Sequence, residues 1–427
     1  MIEKIKAIPG DYVEVHLTKL IYEGILLESS ETGIVMLKLD SGYNIGFSKK
    51  DILKIVLLKK NKDEEKKNFE IKKNPDKKNI AVIITGGTIA ARLNPKKGGV
   101  DWLTSPEDLF KFYPQIFEKV NVSKVEIPFM KASEDMDYKD WQKIAKTAVE
   151  LLNDPNIQGI IITHGTDFLH YTSAALSFFI KNLNKPVVLT YSQRSVDRAS
   201  SDANLNLQCA SLAAISDIAE VSLVGHASSN DDFCYAMPGA KVRKLHSSRR
   251  DAFKVVNAKP FAKIFPDKIE RISEYKLRNK NKAVVDSKFE EKIALVKVYP
   301  GQDADILDYY VKKGYKGIVL ELSGLGHAPS KRARNAWTLK LKEVQGKGIV
   351  VCAVSQCIYG RVDPLVYSNG REILATGVIY LEDMLAETAF VKLGWVLGHD
   401  EWKKNKKMIK EKMLENISGE LNNRLEE

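Results

Sequence analysis

The chain is poor in the features that would place it quickly. Four cysteines in 427 residues cannot form a disulfide framework, and no C-x-x-C occurs, so a disulfide-stapled fold and a zinc ribbon are both excluded. No metal site is expected, and the compartment that fits is a reducing cytosol, hence a cytoplasmic protein. No stretch of 18 apolar residues is present, so no membrane-spanning helix and no membrane partner are expected. The opening MIEKIKAIPGDYVEV has no basic segment followed by an apolar one, which argues against a secretory leader. A G-x-x-x-x-G-K-[ST] phosphate loop is absent, as is the G-x-S-x-G elbow of serine hydrolases.

What is present is ordinary globular material. Hydrophobic residues make up 44% and charged residues 28% of the chain. The length suits two or three domains at roughly 150 residues each. Lys and Arg exceed Asp and Glu by 66 − 55, a net charge of +11. That excess fits an RNA-binding surface or an acidic partner, and equally a solvated lysine-rich surface.

Five segments follow along the chain. Residues 1–58 hold short alternating runs (GDYVEVHL, YEGILLES, GIVMLKLD, YNIGFS) parted by Gly, Ser and Asp, which predicts a small all-β, barrel-like domain. Residues 59–79 carry nine lysines and five acids among 21 residues and read as a charged linker. From residue 80 the pattern becomes continuous apolar runs, NIAVIIT, GIIIT, PVVLTY and VSLVGH, of the kind buried on both faces of a parallel sheet. Helical patterns alternate with them. In DYKDWQKIAKTAVELL, Trp141, Ile144, Ala145, Ala148 and Leu152 recur at helical spacing with Asp137 or Asp140 as cap; SSDANLNLQCASLAAI repeats this with Ser201 or Asp202. This predicts a larger α/β domain over 80–285. KIALVKVYP, GIVLELS and GIVVCAV predict a smaller α/β domain over 286–400, and 401–427 reads as a polar helical tail. The fold class is therefore α/β, two parallel-sheet units preceded by a small β domain.

Three places can carry chemistry. Thr85-Gly86-Gly87-Thr88 follows the strand IAVII directly, and Thr163-His164-Gly165-Thr166-Asp167 follows GIII. Open parallel sheets bind ligands beyond the carboxyl ends of their strands, where free backbone N–H groups can hold an oxyanion. Two hydroxyls at two strand ends, one beside a carboxylate, suit nucleophilic attack, but a threonine hydroxyl needs a base or a proton path. Each motif alone also reads as an ordinary βα turn, and His164 and His170 as structural histidines. The third place is Lys241-Val242-Arg243-Lys244-Leu245-His246-Ser247-Ser248-Arg249-Arg250, with five Lys or Arg in ten residues. It reads either as a nucleic-acid patch or as the source of one inward lysine serving as base.

Together T-G-G-T-I-A, T-H-G-T-D and V-R-K, in that order, resemble the asparaginase/glutaminase family over about residues 80–400. The β domain ahead of that region, with SQRSVDRASSDA (192–203), KVRKLHSSRRDAF (241–253) and ETAFVKLGWVLGH (387–399), resembles one branch more closely, the D-subunit family of the archaeal glutamyl-tRNA(Gln) amidotransferases. That resemblance implies an asparaginase-like fold with the catalytic residues in the larger domain. It implies Thr88 as nucleophile and Thr166, Asp167 and Lys244 as the relay. Ser133, Glu134 and the turn glycines Gly87 and Gly165 would bind the donor. It further implies glutamine (or asparagine) as amide donor and a partner E subunit that takes the ammonia and uses ATP and Mg²⁺, with no cofactor on this chain. A homodimer of this chain within a heterotetramer is implied, as is contact with Glu-tRNA(Gln) mainly through the partner. One departure stands out. Family members often place a tyrosine on the loop after the first threonine; here AARLNPKKGGVDW (90–102) has none, with Pro95 about where it would stand. Two rival readings remain, a free-standing asparaginase with an accessory β domain and a catalytically dead RNA-binding scaffold.

Overall fold

The structure is a computed structural model and describes residues 7–29, 31–40, 44–60, 74–93, 100–102, 116–195 and 200–425. Most of the expected linker, residues 61–73, and Pro95 lie outside the described residues.

The first unit is five antiparallel strands, β1 (Tyr12–His16), β2 (Ile21–Leu27), β3 (Ile34–Lys38), β4 (Asn44–Ser48) and β5 (Lys54–Lys59), in the order β4-β3-β2-β1-β5. Period-2 alternation buries Val13 and Val15 on β1 and points their neighbours outward. Val13, Val15, Leu26, Val35, Leu37 and Phe47 form its small core. β4 and β5 remain as two edges, with no strand pairing between them among the described residues.

The second unit holds β6 (Lys78–Ile84), β7 (Val120–Glu126), β8 (Ile160–Thr163), β9 (Val187–Thr190), β10 (Val221–His226), β11 (Cys234–Pro238), β12 (Val242–Lys244), β13 (Phe253–Val255), β14 (Ala262–Ile264) and β15 (Ile269–Arg271). Eight of these form one sheet in the order β15-β14-β11-β10-β9-β8-β6-β7. The five strands from β7 to β10 are parallel; β11, β14 and β15 extend the sheet antiparallel. The sheet is thus mixed. Every residue of β8 and β9 is buried, as continuous apolar runs require. Among the described residues β12 and β13 pair only with each other.

Helices α1 (Tyr138–Leu152), α2 (Leu169–Phe179) and α3 (Ala203–Ala214) cross between strands. Both candidate caps of α1 are used: Asp137 accepts from the Lys139 N–H at 2.8 Å and Asp140 accepts from the Asp137 N–H at 3.1 Å. At α3, Asp202 occupies the cap position without capping. Its carboxylate accepts from the N–H groups of Gln193 and Arg194 instead, at 2.9 to 3.1 Å, and so fixes the preceding loop.

The third unit has four parallel strands, β16 (Ile293–Lys297), β17 (Gly317–Leu322), β18 (Val350–Ser355) and β19 (Ile379–Tyr380), in sequential order. Its helices are α4 (Ile306–Lys312), α5 (Thr338–Gly346), α6 (Ser368–Leu374) and α7 (Ala386–Leu397). α7 packs on β17 and on α2 of the second unit, and one apolar core runs through both units. The C-terminal residues are not a free tail. α8 (Lys406–Leu414) buries Ile409 and Met413, Leu421 is buried beyond it, and the buried Lys392 ammonium pairs with the buried Glu420 carboxylate.

Candidate active site

The parallel pairing of β6 and β8 sets Ile84 beside Thr163. The two threonine-glycine turns therefore leave the sheet side by side. Thr85 ties them: its N–H and its hydroxyl both donate to the Thr163 carbonyl, at 3.2 and 2.8 Å. Gly86 and Gly87 take φ of 121° and 83°, a region that side chains oppose. They also permit close approach. A Cβ on Gly87 would stand 2.4 Å from the Gly165 nitrogen, and one on Gly86 would stand 2.3 Å from the Lys131 carbonyl oxygen. Thr88 and Thr166 each follow a glycine of that backbone contact, and both are half-buried.

Lys244 completes the group from β12. Its Nζ donates to Thr166 Oγ1 at 2.8 Å and to Asp167 Oδ1 at 2.7 Å. The lysine side chain is 9% exposed, whereas Asp167 is 61% exposed and open to a ligand. Because the ammonium donates to the Thr166 oxygen, the Thr166 hydroxyl proton is free to point elsewhere.

Ser133 lies on the third side. Its buried hydroxyl accepts from the N–H groups of Asp167 and Phe168 at 3.2 and 3.3 Å and donates to Glu134 at 3.3 Å. A Cβ on Gly165 would meet Ser133 at 3.1 Å. A cavity of about 480 Å³ opens beside Ser133 and Glu134, walled by Tyr138, Trp141, Tyr171 and Phe289. All eight residues singled out from the sequence thus fall in one region.

The two histidines are structural. His164 is fully buried; its Nδ1 donates to the Gly165 carbonyl at 2.7 Å, and its Nε2 accepts from Thr172 at 2.9 Å. Burial pushes it down to about 4, so it stays neutral and holds the Gly165 turn. His170 is depressed to about 3, by burial first and then by the nearby Arg243 and Lys244 charges.

The basic run is not an open patch. Lys241 pairs with Asp383, Arg243 with Glu387, Lys244 with Asp167, Arg249 with Asp251 and Arg250 with Asp231. The run turns Lys244 inward, against Thr166 and Asp167. The acids Asp383 and Glu387 escaped the sequence reading, since their partners lie more than 140 residues earlier in the chain.

Residues 79–276 match the family described as Asparaginase, N-terminal, and residues 292–413 match the Glutaminase/Asparaginase C-terminal domain. Residues 7–58 match the GatD N-terminal domain. The chain is 47% identical to the glutamyl-tRNA(Gln) amidotransferase D subunit of Pyrococcus furiosus, with 96% of this chain and 94% of that protein covered. It is 42% identical to the protein of the same name from Methanobrevibacter smithii, covering 97% and 94%. The chain belongs to this family of amidotransferase D subunits. Among solved structures it resembles the thermostable L-asparaginase of Thermococcus kodakarensis, with TM-score 0.71 and 29% identity over 81% of this chain and 100% of that one. L-asparaginase I of Vibrio cholerae is similar at TM-score 0.67 and 27% identity, over 81% of this chain and 99% of that one. Both leave about a fifth of this chain uncovered.

Proposed function

We propose that this chain releases ammonia from the side-chain amide of glutamine for a tRNA-dependent amidotransferase, which converts Glu-tRNA(Gln) to Gln-tRNA(Gln). The observation that carries this reading is the Lys244 ammonium set between Thr166 Oγ1 and Asp167 Oδ1, beside the Gly87–Gly165 contact that brings in Thr88.

In this reading the donor's α-amino and α-carboxylate groups bind at Asp167 and Ser133, with Glu134 adjacent. Thr88 Oγ1 attacks the amide carbon. As it attacks, Thr166 passes its hydroxyl proton to the amide nitrogen and takes one from the Lys244 ammonium, the amine so formed takes up the Thr88 proton, the C–N bond breaks, and ammonia leaves an acyl ester on Thr88. Water then attacks the ester with the proton path run in reverse, giving glutamate. Backbone N–H groups of the two turns hold the oxyanion, a contribution typically worth ~10²–10³ in rate per donor. No metal or cofactor on this chain takes part.

The ammonia is passed to an E subunit that consumes ATP with Mg²⁺ and contacts the tRNA. A dimer of this chain with two partner chains is the assembly, and the cytoplasm its compartment. The family membership of the N-terminal β domain supports a partner-dependent enzyme over a free-standing asparaginase. Asparagine is the alternative donor. The test is co-purification with the E subunit followed by an assay for glutamine-dependent formation of Gln-tRNA(Gln). Full, saturable amide hydrolysis by the isolated chain, unchanged on adding the partner, favours the free-standing hydrolase.

A further inference from the structure

The strand that delivers Lys244 is short and outside the main sheet, so something must fix its place. Among the described residues β12 pairs only with β13, through Val242–Val255, Arg243–Lys254 and Lys244–Phe253. Successive side chains on a strand point to opposite faces. Lys244 faces Thr166 and Asp167. Lys241 and Arg243, two apart, share the other face and meet two acids of the smaller domain. Lys241 Nζ stands 2.6 Å from Asp383 Oδ2, and Arg243 Nη2 stands 2.9 Å from Glu387 Oε1.

Glu387 reaches further than Asp383. It sits in the first turn of α7, and its side chain is 8% exposed. The same Oε1 lies 3.9 Å from Nε2 of His170, which opens α2 three residues after Asp167. One carboxylate oxygen is therefore paired with the residue before Lys244 and lies 3.9 Å from a ring on the helix that follows Asp167. His170 stays uncharged there, because burial holds its ring down to about 3.

Packing alone does not explain this carboxylate. Glu387 Oε2 and His170 Nδ1 are both buried without a hydrogen-bond partner among the described residues. Burial pushes the Glu387 carboxyl up, against the pull of Arg243. A half-satisfied buried carboxylate destabilises a fold relative to an apolar residue of the same size. Its place between two elements of the site points to a task in the reaction.

We propose that Glu387 is a positioning residue for amide cleavage, holding Lys244 through Arg243. The inference rests on the site reading above, with Lys244 in the proton path.

The test is steady-state ammonia release from glutamine by the full chain assembled with its E partner, alongside thermal melting. Glu387→Gln keeps size and one acceptor while removing the charge. The expected result is a fall in kcat of at least about tenfold in the folded enzyme with KM within about twofold, whatever the melting temperature; Glu387→Asp restores part of kcat. A purely structural role predicts a lower melting temperature with kcat preserved in the folded fraction, and that result overturns the proposal. Should Glu387→Gln fail to fold, Arg243→Lys probes the same link. A loss confined to kcat supports the proposal, and an unchanged kcat overturns it. Lys244→Met is measured in parallel. If it is inactive while Glu387→Gln matches wild type, the positioning role alone fails; if Lys244→Met is also fully active, the reading of the site itself fails.

Discussion

Gly87 and Gly165 touch backbone to backbone, so closely that a methyl group on Gly87 would stand 2.4 Å from the Gly165 nitrogen. This contact joins two turns 78 residues apart and brings the turn of Thr88 against that of Thr166. Gly87→Ala must push the turns apart and adopt a φ of 83°, which alanine resists. A displacement near 1 Å at a reacting centre costs about 10²-fold in rate. Ammonia release should fall by that factor or more while circular dichroism still shows a folded chain.

The buried pair of Lys392 and Glu420 fastens the C-terminal residues to α7. Glu420→Ala leaves a buried ammonium without its counter-charge, a change that costs about 3–5 kcal/mol. Removing both charges with Lys392→Met and Glu420→Leu should recover only part of that loss, because the Ile417 and Ser418 N–H groups lose the carboxylate they donate to. Denaturant unfolding of the two variants checks the difference.

His164 supplies a pH dependence with a definite sign. Its folded-state value near 4 lies below the ordinary histidine value of 6.5, so the unfolded chain binds this proton first. Its contribution is complete above about pH 6.5 and is lost as pH falls toward 4, about 3 kcal/mol over the window. Melting temperatures from pH 7.5 to 4.5 should drop, and His164→Asn should remove about half of the drop, since His170 is depressed in the same direction and supplies the rest.

Arg249 and Arg250 are already paired with Asp251 and Asp231, so neither is a free phosphate contact. Arg249→Gln should leave the salt dependence of tRNA binding to the assembled enzyme unchanged. A lost phosphate contact would lower the slope of log affinity against log salt by about one.

Much of this was readable in the sequence, for physical reasons. Continuous apolar runs announce strands buried on both faces, and a threonine-glycine turn straight after such a run lands on the ligand-binding edge. Trp141 to Leu152 carry the helical period, and Asp137 and Asp140 both cap it. The antiparallel extension β11, β14 and β15 left little trace, because strands of three to five residues are too short for a period to register. Asp202 could not be separated from a cap, since its loop partners Gln193 and Arg194 are set by the fold. The acids that hold Lys241 and Arg243 were invisible for the same reason: an ion pair across more than 140 residues is a product of tertiary packing, with no spacing to announce it.

The most direct test of Thr88 as the nucleophile is Thr88→Ala in the enzyme assembled with its E subunit, read as ammonia released from glutamine. Wild type incubated with a slow amide substrate should also carry an acyl group on Thr88, visible by mass spectrometry. The expected result is a loss of at least about 10²–10³-fold, as for removal of a group in direct contact with the reacting carbon, and no adduct on the variant. Near-normal ammonia release from the folded Thr88→Ala enzyme would contradict it.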